Sequence, residues 1–353
     1  MTPDEAPARR SRRGHGRATL SDVAALAEVT KITVSRFLRE PERVAGPTAE
    51  RIRAALAATG YVPNKQAGQL ASGRSNIVAA LIPNLGHSIF GETVQALSEG
   101  LQAAGLELLL ASTGYSPQRE EEQLHTVLGW APAAVVVTGR RHTPGALALL
   151  HEVHAAGTPV LEVWDHHPED RTPFAQIGFD HAQVGRAMAR HLLDAGHRRL
   201  AYLDSGVATD FRAHERGAAF VAEAKQAKAT VKMLAAVTGD PFDAGRHAFA
   251  TLRALPALPS AVACANDHLA CGLLLEAQAR GVAVPGELAL LGFGDFPVGR
   301  QLQPPLSTVR PPSQEIGRAA AAAVVEALGH QTPARSQALP WQLLARGSTA
   351  QSA

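Results

Sequence analysis

The sequence predicts two unlike pieces: a small all-α head with a helix-turn-helix pair, and an α/β body of two doubly wound subdomains. Three observations predict this. Capped segments with helical periodicity crowd residues 19–60. Short apolar runs alternate with helical spacers from residue 76 onward. Charge is divided unevenly between the two stretches. The chain has 353 residues, enough for two or three domains.

Thr19-Leu-Ser-Asp22 opens the head as a capping box, a hydroxyl followed three residues later by a carboxylate. Val23, Ala24, Leu26 and Ala27 supply the apolar face of a first helix. Thr30 caps a second, Lys31–Arg39, on which Val34, Phe37 and Leu38 face a small core. Ile32, Ser35, Arg36 and Arg39 fall on the opposite face, with Lys31 beside them at the helix start. The third helix begins at Gly46-Pro47 and stops at Gly60. A core of three short helices is marginal alone and works best attached to something larger.

In the body, 77–83, 106–112, 133–139 and 158–164 read as buried parallel strands, with helices expected at Gly91–Ala104, Gln118–Gly129 and Pro144–Ala156. A second series follows at 174–180, 199–205, 232–238, 260–266 and 288–294. The segment 304–312 and a helix Ser313–Leu328 then look like a crossover back to the first subdomain. There is no G-x-G-x-x-G or P-loop fingerprint.

The formal net charge is only +2. Residues 1–75 hold thirteen Lys and Arg against seven Asp and Glu, a net of +6, and the remaining 21 basic and 25 acidic residues leave −4. A basic head on an acidic body points to an anionic polymer as partner of the head. Five arginines (Arg9, Arg10, Arg12, Arg13, Arg17) lie in the tail before the first helix. Two cysteines exclude a disulfide scaffold and a CxxC zinc framework. No apolar run is long enough to span a membrane, and the polar, basic start does not read as a secretory signal. The expected compartment is the cytoplasm. No nucleophile elbow, metal cluster or phosphate loop supports an enzyme, and no metal or cofactor is expected. A transport-type sugar-binding protein would need a signal peptide and no such head.

The segments TLSDVAALAEVTKITVSRFLREPERV, GYVPN and QLASGRS resemble the DNA-binding head of the LacI/GalR family of bacterial transcription regulators. The likeness continues through VAALIPNL, AGHRRLAYL, ANDHLACG, GVAVPGELALLGFGD, PPLSTV and ARGST, in order. VTKITVSRFLREPE, GYSPQREEEQLHTVLGW and VVTGRRHTP resemble the gluconate-utilisation repressors within that family. The resemblance implies a helix-turn-helix head on a periplasmic-binding-protein-like body, with a ligand held between its two subdomains. It implies a homodimer that represses transcription from double-stranded operator DNA and is released by a small effector, gluconate or a related sugar acid.

It also implies roles by position. Lys31, Ile32 and Arg36 would read bases, Arg36 by pairing with guanine and Ile32 by contact with a thymine methyl. Thr19, Ser35 and Asn64 would lie on phosphates, and Leu70 would be the minor-groove wedge of a hinge helix. Phe90, Asp180, Arg216 and Asn266 would line the effector cleft, and Asp267 would be structural, a helix cap. Two positions depart from the family. Glu28 stands where the turn usually has Gly, and Gly68 lies inside the hinge. In Gly292-Phe293-Gly294-Asp295 a glycine replaces the usual carboxylate at position 294, which favours an anionic effector because a buried carboxylate would repel it. Arg140, Arg141 and His142 could add positive potential. The expected boundaries are a basic tail at 1–18, the helix-turn-helix domain at 19–62, a hinge at 63–75 and the body at 76–340. The first subdomain would take about 76–172 and 306–330, the second about 173–305 and 336–350.

Overall fold

A computed structural model of the chain describes residues 18–62, 75–86, 89–170, 172–330 and 333–350. The expected tail before residue 18 and the hinge residues Asn64, Gly68 and Leu70 lie outside the described residues. The chain divides into two compact units, one ending at Arg74 and one beginning at Ser75.

The first unit holds α1 (Leu20–Leu26), α2 (Lys31–Arg39) and α3 (Gly46–Thr59). Each begins or ends where local chemistry dictates. Thr19 and Asp22 close the reciprocal capping box, Thr30 caps α2 by accepting from the Thr33 amide, and Gly60 ends α3 with φ 60°. Val23, Ala24, Ala27, Val34, Phe37, Ala49, Ile52 and Ala55 form the core. The turn between α1 and α2 is left-handed at Glu28, with φ 51°. A side chain with a Cβ is strained there by roughly 1 kcal/mol relative to glycine. The exposed ion pair of Glu28 with Arg51, at 3.7 Å, returns little of that. Glu28→Gly is therefore expected to raise the melting temperature of the head within the full-length chain by a few degrees, read by circular dichroism. A lower melting temperature would contradict the strain.

The second unit contains two six-stranded sheets. The first joins β1 (Ile77–Ile82), β2 (Glu107–Ser112), β3 (Ala134–Thr138), β4 (Val160–Val163) and β5 (Ala175–Gly178) in the order 2-1-3-4-5, with β11 (Gln337–Ala338) beyond β5. The second repeats that order with β6 (Arg199–Asp204), β7 (Thr230–Ala235), β8 (Ala261–Cys264), β9 (Ala289–Phe293) and β10 (Ser307–Arg310), as 7-6-8-9-10. Its far edge is β12 (Gln342–Leu344), antiparallel to β10. Strands β3, β8 and β9 are buried at every position, which is why they read as unbroken apolar runs rather than alternating ones.

Helices α4 (Gly91–Ala103), α5 (Pro117–Leu128), α6 (Pro144–Ala155) and α12 (Ser313–His330) flank the first sheet. The second is flanked by α7 (His181–Asp194), α8 (Phe211–Gln226), α9 (Pro241–Arg253), α10 (Asp267–Ala279) and the short α11 (Pro297–Gln301). In doubly wound sheets the ligand crevice lies beyond the carboxyl ends of the strands, where strand order reverses. Here those points are β1/β3 and β6/β8.

Strand pairing corrects the expected subdomain boundaries. The run at 174–180 pairs with β4 in the first sheet, not with the second series. Residues 307–310 pair with β9, so the return to the first subdomain begins with α12, not with β10. Residues 337–338 pair with β5 in the first sheet. Strand-like runs look alike whichever sheet they join, so only pairing reveals the three crossings. The edge strand β7 starts two residues before the predicted run, because it is half exposed and its hydrophobicity marks it poorly.

Candidate functional sites on the head and in the cleft

On the head, α2 presents Lys31, Ile32 and Arg36 to solvent, with Ile32 70% exposed, while Val34 and Phe37 are buried beneath them. The first turn carries no acidic residue, so the positive end of the helix dipole is not neutralised. Ser35 is half-buried, and its carbonyl accepts from Arg39 Nε at 3.3 Å. Arg53 lies over the Phe37 ring at 5.5 Å and stiffens α2 from behind. Thr19 is engaged in its cap: its hydroxyl donates to Asp22 Oδ2 at 2.8 Å and accepts from the Asp22 amide at 3.4 Å. The Thr19 amide, donating to Asp22 Oδ2 at 2.7 Å, and then the Thr19 hydroxyl hold the Asp22 carboxyl below its usual range.

In the body, the carboxyl ends of β4, β5, β8 and β9 converge on Arg216. Its α8 backbone is pressed close by α7, where a Cβ on Gly185 would meet the Arg216 carbonyl at 2.1 Å. Arg216 is 3% exposed. Nη1 donates to His181 Nδ1 at 3.0 Å, Nη2 donates to the Ala265 carbonyl at 3.0 Å, and the guanidinium lies 3.9 Å from the Phe293 ring centroid. His181 Nε2 in turn donates to the Trp164 carbonyl at 2.8 Å. A guanidinium can only donate, so His181 Nδ1 must accept and the ring is neutral with its proton on Nε2. Burial holds the His181 pKa well below the usual value, and Arg216 and Arg212 push it the same way. Every hydrogen-bond partner of Arg216 is thus neutral, and the Asp204 carboxyl that feels its charge is not bonded to it. Among the described residues none of the ion pairs includes it, and its buried Nε has no hydrogen-bond partner.

The other expected cleft residues are placed as follows. Phe90 is buried at the start of α4, edge-on to Trp164 at 4.9 Å. Asp180 is the N-cap of α7, accepting from the Gln183 amide at 3.0 Å. Asn266 caps α10, its Oδ1 accepting from the Leu269 amide at 3.0 Å, so its Nδ2 is the group left for a ligand. Asp267 is structural but is not the cap. It is buried as the first residue of α10, accepting from Thr308 Oγ1 at 2.6 Å and the Phe296 amide at 2.8 Å. Gly294 has φ 134°, and a Cβ there would lie 3.3 Å from Ile89 and from the Phe296 ring. Asp295 beside it is fully engaged by Arg300, Arg310 and Arg346.

Sequence reasoning missed His181 and Phe293, which touch Arg216, and Trp164, which reaches it through His181. The adjacency of His181 to Asp180, and of Phe293 to Gly294 in the family turn, are the signals the sequence holds for two of them. The Arg140-Arg141-His142 run contributes less free charge than expected. Arg140 is paired with three carboxylates, Asp165, Asp170 and Glu215. His142 is buried between Glu120 at 2.5 Å and Glu162 at 3.5 Å. Burial works against the charged ring, but the two carboxylates outweigh it and raise its pKa to about 9. The unfolded value is ~6.5, so this stabilisation is complete below that pH and is lost as pH rises through about 9. Thermal stability is therefore expected to fall between those values in the wild type, and His142→Gln should flatten the fall. A fall of equal size in the variant would assign it elsewhere.

Comparison with known proteins agrees with the two-part architecture. Residues 19–64 match the bacterial regulatory proteins of the lacI family, and residues 189–349 match a periplasmic binding protein-like domain. The HTH-type transcriptional regulator GntR of Pseudomonas aeruginosa PAO1 is 36% identical over 95% of this chain and 96% of its own length. GntR of Escherichia coli K12 is 32% identical over 85% of this chain and 89% of its own. A LacI-family transcriptional regulator from Silicibacter pomeroyi superposes with TM-score 0.86 at 32% identity, covering 95% of this chain and all of that one. The transcription regulator GntR from Chromobacterium violaceum gives 0.70 at 30% identity, over 77% of this chain and 99% of its own. The relatives are transcriptional regulators rather than enzymes, and so is this protein. With head and body matched in order and relatives spanning nearly the whole length, the chain belongs to the lacI family of bacterial regulatory proteins.

Proposed function

We propose that the protein is a cytoplasmic homodimeric repressor of sugar-acid catabolism genes, released from its double-stranded operator by gluconate or a closely related aldonate. The observation that carries the effector class is Arg216: a buried cation with only neutral partners and an unpartnered Nε. Leaving such a charge desolvated and unpaired is costly. A carboxylate placed against it would relieve that cost through charge-assisted hydrogen bonds. Gly294 supports the same reading, because no carboxylate projects from that turn and Asp295 is neutralised by three arginines. Phe90 would form an apolar wall, and Asp180 and the Asn266 amide would meet hydroxyls.

On the head, Lys31, Ile32 and Arg36 would read one half of a pseudo-palindromic operator, each protomer taking one half-site. Ser35, Thr19 and Asn64 would contact the backbone, and the hinge at 63–75 would insert Leu70. Effector binding would favour the closed cleft and separate the hinges, with the coupling equal to the ligand's differential affinity for the two states.

Calorimetric titration of the full chain tests the effector class. Gluconate should bind at least 100-fold more tightly than glucose, which has the hydroxyls but no carboxylate. Equal affinities would remove the role assigned to Arg216.

A further inference from the structure

Side chains of the two subdomains meet at one edge of the cleft. Arg140, just beyond the carboxyl end of β3, donates from Nη2 to both carboxylate oxygens of Glu215 on α8, at 3.0 and 3.2 Å. Its remaining ion partners belong to its own subdomain: Asp170 at 3.4 Å and Asp165 at 3.7 Å. Those two carboxylates hold the guanidinium in place, so little side-chain freedom is lost when Glu215 arrives. Weaker contacts run beside it: Arg212 Nη1 donates to the Thr138 carbonyl at 3.4 Å and lies 3.9 Å from Asp165 Oδ2, its guanidinium lies 5.6 Å from the Phe90 ring centroid, and the Arg141 guanidinium lies 5.4 Å from the Phe211 ring centroid. The Arg140 and Glu215 side chains are only 16% and 20% exposed, so salt screens the pair less than a surface pair. Among the described residues Arg140 is the ion-pair partner of Glu215. Glu215 directly precedes Arg216 on α8.

We propose that Arg140 and Glu215 are positioning residues that set the effector threshold, their ion pair latching the cleft in its closed arrangement with Arg216 already presented to the ligand. Opening the cleft leaves Arg140 paired within its own subdomain and returns Glu215 to water. The latch is therefore reversible. An interaction that favours the closed state strengthens any ligand selecting that state, by the factor through which it shifts the population. The identity of the ligand rests on the function proposed above; the latch itself does not.

The test uses the full-length chain and the variants Arg140→Gln, Glu215→Gln and the double variant, all close in size to the wild type. Gluconate affinity is measured by calorimetry. Cleft opening is measured independently as the distance between spin labels on Gln118→Cys and Thr238→Cys, which lie on the loops and helix starts that follow β2 and β7. Each single variant should weaken gluconate about tenfold and lengthen the label distance in the absence of gluconate. The double variant should be no weaker than the worse single, because the pair acts as one unit. Circular dichroism confirms that each variant is folded. If gluconate affinity stays within twofold of wild type, or the label distance does not change, the latch is overturned. If the wild type itself binds no gluconate, the effector identity fails and the label distance alone decides: lengthening supports the latch, and no change overturns it.

Discussion

Arg216→Ala is expected to give a repressor that stays on its operator at any attainable gluconate concentration. The arginine is held by a neutral histidine, a carbonyl and an aromatic face. None of these balances its charge, so the alanine variant loses the group that would recognise a carboxylate. Truncating one member of a buried, hydrogen-bonded charge pair costs on the order of 2–5 kcal/mol of binding, so gluconate affinity should fall at least about 30-fold. Operator affinity without gluconate should stay within a few-fold of wild type. The ligand-free protein should not lose stability from the missing charge itself, because a desolvated, unpaired cation is a cost in the folded state. Any decrease would come from lost packing on Phe293. Arg216→Lys keeps the charge but loses the planar fork, so its affinity should lie between the two. A variant lacking Arg216 that releases DNA as readily as wild type would remove this residue from the effector site.

The second large effect is expected at Arg36. It projects from the exposed face of α2, away from the buried Val34 and Phe37. Arg36→Ala should leave the head folded and gluconate binding unchanged. Operator affinity should fall about 5- to 150-fold, equivalent to the ~1–3 kcal/mol of one bidentate base contact. The loss should be concentrated at one base position of each half-site, with binding to random duplex nearly unaffected. An equal loss on operator and random DNA would reassign Arg36 to the phosphate backbone.

The parts of this molecule that depend on neighbours along the chain are legible in the amino-acid sequence. Thr19, Thr30, Pro47 and Gly60 mark helix ends through their own hydrogen bonds or backbone preference, and all four fall where expected. Parallel strands buried on both faces announce themselves as apolar runs. What depends on distant partners is not legible there. Residues 175–178 pair with β4 of the first sheet, and nothing in their composition says so. Glu162 sits in the middle of a fully buried strand, tolerable only because Gln176 and His142 meet it. The cap of α10 differs from expectation by one residue, since Asn and Asp are nearly equivalent caps and only geometry chooses between Asn266 and Asp267. Arg216 is located in the sequence through a family resemblance. Its burial, and the His181–Trp164 chain that fixes its orientation, come from the fold. The near-neutral net charge of +2 conceals a basic head and an acidic body. That division predicts operator binding that weakens steeply with salt.

In this mechanism a carboxylate seated on Arg216 releases the head from DNA. The most direct measurement is fluorescence anisotropy of a labelled operator duplex, chosen by repeated selection from a random pool on the full-length protein, during titration with gluconate. Gluconate should lower operator affinity at least fivefold and saturably, glucose should not, and Arg216→Ala should abolish the effect. Operator affinity unchanged at saturating gluconate would contradict this mechanism.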